Sequence, residues 1–211
     1  MTPALFAMSP RFAAAPADPS DPPAPARAPF GALFADPAAP ILTARLRLRP
    51  VTDADAPRWV AFFAGADARF AGGPMLARDA AAAHEAAMAD WSPCGPGHWT
   101  VERRDDRAWL GHVALIARPG WEAPELRWSL TRGAGGADVA AEAARGLRDR
   151  AAASGVAELV CFLHPEDAEA AEVARRIGAR PDPASRAPLR GAQVWRRPLA
   201  PAPAVETEAW R

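Results

Sequence analysis

The chain has 211 residues, a length that suits one domain with extensions or two very small domains. Its 25 basic residues, every one an Arg, balance 25 acidic residues, so the counter-charge that a nucleic-acid or membrane-surface protein needs is missing. No apolar run approaches the roughly 18 residues of a membrane span, and residues 1–8 lack the basic segment of a secretion signal, which points to a soluble, cytoplasmic protein. Half of the residues are hydrophobic, but 55 of these are Ala, so a modest core of small residues is expected. Lys, Tyr and Asn are absent, which leaves no Lys nucleophile and no Tyr acid. Cys94 and Cys161 do not make a disulfide framework in a chain this long.

Ten of the 24 prolines fall within residues 1–40, mixed with Ala, Asp and Ser. Such a segment buries too little to offset its ordering entropy, so residues 1–38 are expected to be a flexible or extended arm, with Phe30, Leu33 and Phe34 as its docking candidates. The folded domain is expected over residues 39–198, and the Pro/Ala-rich residues 199–211 form a tail. Ile41 to Arg49, in which apolar residues alternate with Arg from Arg45 on, is expected to be a half-exposed strand. Thr52-Asp-Ala-Asp55 opens a helix carrying Trp59, Phe62 and Phe63 at helical spacing, and an Ala-rich helix follows over 78–91. Strands at 98–102 and 108–116, joined by the turn Arg104-Asp-Asp-Arg107, form a hairpin. Glu125-Leu-Arg-Trp-Ser-Leu130 is a further strand. A Gly-rich loop leads from it into a long helix over 139–153. An apolar strand around Cys161, a helix over 167–177 and a last strand at 193–195 complete a mixed sheet with helices on both faces.

The site-bearing stretch is Thr131-Arg-Gly-Ala-Gly-Gly-Ala-Asp-Val-Ala-Ala-Glu-Ala143. A strand runs into glycines and then a helix, which aims backbone N–H groups and the helix dipole at one spot that suits a phosphate. The same pattern also serves as a plain turn.

At this point the chain resembles a family. Thr43-Ala-Arg-Leu-Arg-Leu-Arg-Pro50 is similar to the opening of GNAT-superfamily N-acetyltransferases of the ribosomal-protein-alanine type. Ala71-Gly-Gly-Pro74, Gly97-His-Trp-Thr-Val-Glu102, Leu110-Gly111 and Pro124-Glu-Leu-Arg-Trp-Ser-Leu130 follow in the family's order. Gly136-Ala-Asp-Val-Ala-Ala-Glu-Ala143 and the segment from His164 to Ala179 then resemble its helix-opening motifs. The resemblance implies an α/β (α+β) GNAT-like fold with a mixed, mainly antiparallel central sheet. It implies acetyl transfer from acetyl-CoA, as co-substrate, to a small-molecule amine or a protein amino group, in a monomer or homodimer. Trp128 and Leu130 would pair with the pantetheine arm; Gly136, Ala137, Val139 and Ala140 would cradle the pyrophosphate, and Asp167 stands where the family has an Asn that faces the cofactor. Glu125 occupies the family's strand Glu, the first candidate for the base that takes the amine proton, and its structural alternative is an ion pair with an Arg. His112 is the second candidate, with His98 beside it on the neighbouring strand.

Several positions depart from the family's pattern. Asp138 replaces a Gly: its carboxylate faces the pyrophosphate position and, as a good N-cap residue, competes for the helix N–H groups. Ala170 replaces a Ser that would protonate the thiolate. A degenerate domain that binds an acyl-CoA or a partner without turnover is therefore a second reading. No metal site is expected from His164, Glu166 and Asp167, which lack further ligands. Arg145, Arg148 and Arg150 suit the exposed face of the long helix, with Arg145 as a candidate for a CoA phosphate.

Overall fold

The stretch from Ile41 to Arg49, expected as one strand, is a tight hairpin. β1 (Ile41–Leu42) pairs antiparallel with β2 (Leu46–Pro50), Ile41 opposite Leu48. The reversal is held from outside: Glu142 accepts hydrogen bonds from the Thr43 hydroxyl and from both the main chain and the guanidinium of Arg45. The computed structural model describes residues 39–91, 97–118, 121–188 and 191–199. The arm with Phe30, Leu33 and Phe34, the tail from residue 200, and Cys94 lie outside the described residues.

A capping box of Thr52 and Asp55 turns the chain out of β2 into α1 (Ala56–Ala64), with Pro57 in the first turn, where its missing N–H costs nothing. Asp55 is buried, and Arg49 grips it with two hydrogen bonds of 2.7 and 2.8 Å. Burial pushes the Asp55 carboxyl up, but the bonds from Arg49 and Thr52 prevail and hold it below its ordinary value. After α2 (Ala77–Ala89), the strands β3 (His98–Arg103), β4 (Trp109–Ile116) and β5 (Glu125–Leu130) form an antiparallel meander. Then come α3 (Gly136–Ala153), β6 (Glu158–Leu163), α4 (Ala168–Arg176), β7 (Arg180–Pro181) and β8 (Gln193–Pro198). α3 starts three residues earlier than its Ala pattern suggested, because Gly136 of the loop itself enters the helix. The two-residue β7 carries no sequence period to read.

The strands form one sheet in the order β1-β2-β3-β4-β5-β6-β8-β7, antiparallel throughout except for the parallel pair β5 and β6. Strand alternation sorts the faces. Trp99, Val101, Val113, Leu115, Leu126, Leu159 and Cys161 pack with α3 and α4 through Leu147, Val173 and Ile177. Trp59, Phe62 and Phe63 bring α1 to the opposite face together with Ala80 and Ala87 of α2. The expected mixed sheet with helices on both faces is what forms. Ala140, Ala141, Ala143 and Ala144 let α3 lie close to the strands. Leu199 is also buried, and its N–H bonds to the Ala157 carbonyl.

One glycine is demanded by contact. Gly111 has φ +138°, at a bulge where β3 and β4 shift register, and a Cβ there would stand 2.2 Å from the Ser129 carbonyl oxygen. Gly133, by contrast, has nothing within 4 Å of its Cβ position. Gly111→Ala is expected to cost at least about 2 kcal/mol in urea unfolding, and Gly133→Ala less than about 0.5 kcal/mol. Equal stabilities for the two variants would contradict the close approach of β4 to β5.

Candidate active site

The parallel pair β5 and β6 is joined at one register pair, Glu125 opposite Val160, with the Val160 N–H bonded to the Pro124 carbonyl at 3.0 Å. Beyond that pair no ladder bonds connect the two strands among the described residues. Backbone groups alternate in direction along a strand. Since the Pro124 carbonyl faces β6, those of Leu126, Trp128 and Leu130 face it too; on the other side, the Thr131 N–H bonds to Leu110 of β4. Trp128 and Leu130 therefore present unpaired main-chain groups to an opening between the strands.

At the head of this opening lies the start of α3. Gly135, in the left-handed region at φ +114°, is the N-cap and offers no side chain, and Gly136 follows at φ +62°. Asp138 does not cap the helix, contrary to the expectation from its residue type: it sits in the first turn and pairs with Arg176 of α4. The N–H groups of the first turn thus have no side-chain cap. Asp67 binds the preceding loop by accepting from the Arg132 N–H at 3.1 Å.

The face of the sheet beneath α1 and α2 is polar. Cross-strand register places Thr100, His112 and Ser129 in one row, and His98, Ala114 and Arg127 in the next. Glu125 is buried, and Arg127, two residues on and so on the same face, holds both of its oxygens, at 2.9 and 2.7 Å. The Arg-pair alternative for Glu125 is thus the geometry observed, and the i, i+2 spacing was the available signal for it. His112 is completely buried, stacks on Trp59 with ring centroids 4.2 Å apart, and has no hydrogen-bond partner on either nitrogen. Burial, reinforced by the charges of His98 and Arg127, lowers its pKa well below the ordinary imidazole value. His98 is equally buried, 3.3 Å from the Asp90 carboxylate, and its pKa is also lowered by burial. Burial would raise Asp90, yet His98 and a bidentate Arg118 hold it at about 2.

Residues 45–180 match the acetyltransferase (GNAT) domain family. This chain belongs to the GNAT acetyltransferase family. Its GNAT domain is 30% identical to an acetyltransferase from Agrobacterium tumefaciens, with TM-score 0.70, over 75% of this chain and 94% of that one. RimL, a ribosomal L7/L12 alpha-N-protein acetyltransferase solved with coenzyme A, is 13% identical with TM-score 0.63, over 76% and 98% of the two chains. The microcin C7 self-immunity acetyltransferase MccE, solved with acetyl-CoA and AMP, is 13% identical with TM-score 0.61, over 74% and 94%. At that identity these two likenesses concern the fold. No curated protein matches the chain.

Other residues singled out in the sequence make contacts within the fold. Asp167 is the N-cap of α4, accepting from the Ala170 N–H at 2.9 Å, while burial raises its carboxyl pKa. Arg145 donates to the Arg176 carbonyl and Arg148 to that of Ile177, so both clamp the end of α4. His164 accepts from the Glu166 N–H and lies against Phe70. No group of three or more His, Cys, Asp or Glu among the described residues is placed to hold a metal ion, and no described helix is long and apolar enough to cross a membrane.

The two buried imidazoles make stability depend on pH with a definite sign. Both are harder to protonate folded than unfolded, so the unfolded chain binds the extra protons as pH falls below about 6.5. Stability should therefore drop on acidification, by up to about 1.4 kcal/mol per pH unit for each ring. Urea unfolding between about pH 7 and about pH 5 reads this slope, and His112→Gln should make it shallower. A profile unchanged by that substitution would contradict a neutral buried His112.

Proposed function

We propose that the chain is an acetyl-CoA-dependent N-acetyltransferase that moves an acetyl group onto an amine of a small molecule or of a protein N-terminus. The observation that carries this reading is the parting of β5 and β6 beside a glycine-lined helix start that no side chain caps. The residues fit such a co-substrate. The main-chain groups of Trp128 and Leu130 suit a pantetheine arm, which pairs with a strand as an added peptide would. Gly136, Ala137, Val139 and Ala140 offer the amides and positive dipole end that a diphosphate needs. Asp167 keeps α4 in place as the second wall. With Asp138 held by Arg176, the obstruction that favoured a degenerate domain is lifted.

The co-substrate supplies an acetyl carbonyl activated as a thioester; the chain supplies proton handling. We assign the base role to His112, a neutral imidazole with open nitrogens. The ring is buried, and Ser129 is its partner in the cross-strand register. Acetyl transfer forms a C–N bond and breaks a C–S bond; the proton that His112 takes from the amine would be returned to the thiolate, which leaves the ring neutral again. Glu125, with both oxygens on Arg127, fixes that guanidinium beside the reacting centre.

Calorimetric titration of the full chain tests the reading, with desulfo-CoA as a non-reacting control. Acetyl-CoA and desulfo-CoA should bind with micromolar Kd, and thiol release in the presence of an amine-terminated peptide or a polyamine should fall at least about a hundredfold in His112→Gln. No binding at about 1 mM acetyl-CoA would overturn it.

A further inference from the structure

The mouth of the α3 N-terminus is acidic. Asp138 stands in the first turn, Glu169 has a carboxylate oxygen 3.6 Å from where a Gly136 Cβ would lie, and Glu172 is one turn further along α4. An anion approaching these amides meets that charge at close range. Arg176, in the last turn of α4, answers it: the guanidinium pairs with Asp138 and, through Nε at 2.7 Å, with Glu172.

Its position is set by packing and by main-chain clamps. Val173 and Ile177 of the same helix end are buried against α3. Arg145 donates to the Arg176 carbonyl at 3.0 Å and Arg148 to the Ile177 carbonyl at 3.0 Å, so the end of α4 is fixed to the flank of α3. The Asp138 side chain is 71% exposed and that of Arg176 35%, so the pair adds little to stability. Its consequence lies in where the Asp138 carboxylate is kept. Without Arg176, that carboxylate is free to accept from the amides of its own first turn, as acidic residues there do, or to face an incoming diphosphate with its charge uncompensated.

We infer that Arg176 is a positioning residue for acetyl-CoA: it holds Asp138 aside and neutralises it, so that the start of α3 stays open to the diphosphate. This rests on the acetyl-CoA reading above. It makes Arg176 the compensation for an Asp at a position where a Gly would need none.

Calorimetric titration of acetyl-CoA into four full-length proteins tests it: the natural chain, Arg176→Gln, Asp138→Asn and the double variant. Arg176→Gln should bind about tenfold more weakly, the repulsion of one carboxylate on a doubly charged diphosphate about 5 Å away in a water-like medium. The double variant, which restores the charge balance, should bind within about twofold of the natural chain. Arg176→Lys should retain most of the affinity, and thermal unfolding of Arg176→Gln should match the natural chain. If Arg176→Gln binds as tightly as the natural chain, the inference fails while the acetyl-CoA reading stands. If the double variant is as weak as Arg176→Gln, Arg176 touches phosphate directly and the Asp138 role is overturned. Absence of binding by the natural chain overturns both.

Discussion

Two antiparallel half-sheets, β1 to β5 and β6 to β8, are joined through a single parallel register pair, Glu125 opposite Val160. Parallel neighbours need a crossover, and here it is α3, whose Ala-rich flank packs on β1, β2, β4 and β5 while α4 packs on β6. Pairing at one position alone leaves the strands free to part beyond it, and the crossover delivers a helix start to that parting. The opening, the unpaired main-chain edge of β5 and the uncapped amides of α3 are therefore products of one topological constraint.

Buried titratable groups collect on the face that α1 and α2 cover. Arg49 and Asp55 anchor α1 to the sheet, which sets Trp59 over His112. The imidazoles of His98 and His112 are then sealed from solvent and kept neutral, while Glu125 is tied to Arg127 and Asp90 to Arg118. Charges on this face are paired; His112, without a partner on either nitrogen, is kept neutral by burial. That division separates the ion pairs that order the site from the ring assigned to proton transfer.

Much of the fold was legible because the helices carry apolar residues at helical spacing, the apolar run around Cys161 reads as a buried strand, and short motifs resembling one family follow in one order. The hairpin at residues 41–50 was hidden, since the bonds that bend it come from Glu142, about a hundred residues away. Within the site, the glycine loop was visible as a candidate anion cradle. The placement of Asp138 was not: residue type argues for a cap, and only the packing of α4 on α3 brings Arg176 to it. Burial decided the histidines likewise, because sequence places His98 and His112 on adjacent strands but does not say that Trp59 closes over them.

Amide hydrogen exchange tests, residue by residue, whether the edge of β5 facing the opening receives the co-substrate. Addition of acetyl-CoA should slow exchange at Trp128 and Leu130 by at least about tenfold, and leave Arg127 and Ser129, whose N–H groups already face β4, unchanged. Unaltered exchange at Trp128 and Leu130 under saturating acetyl-CoA would contradict it.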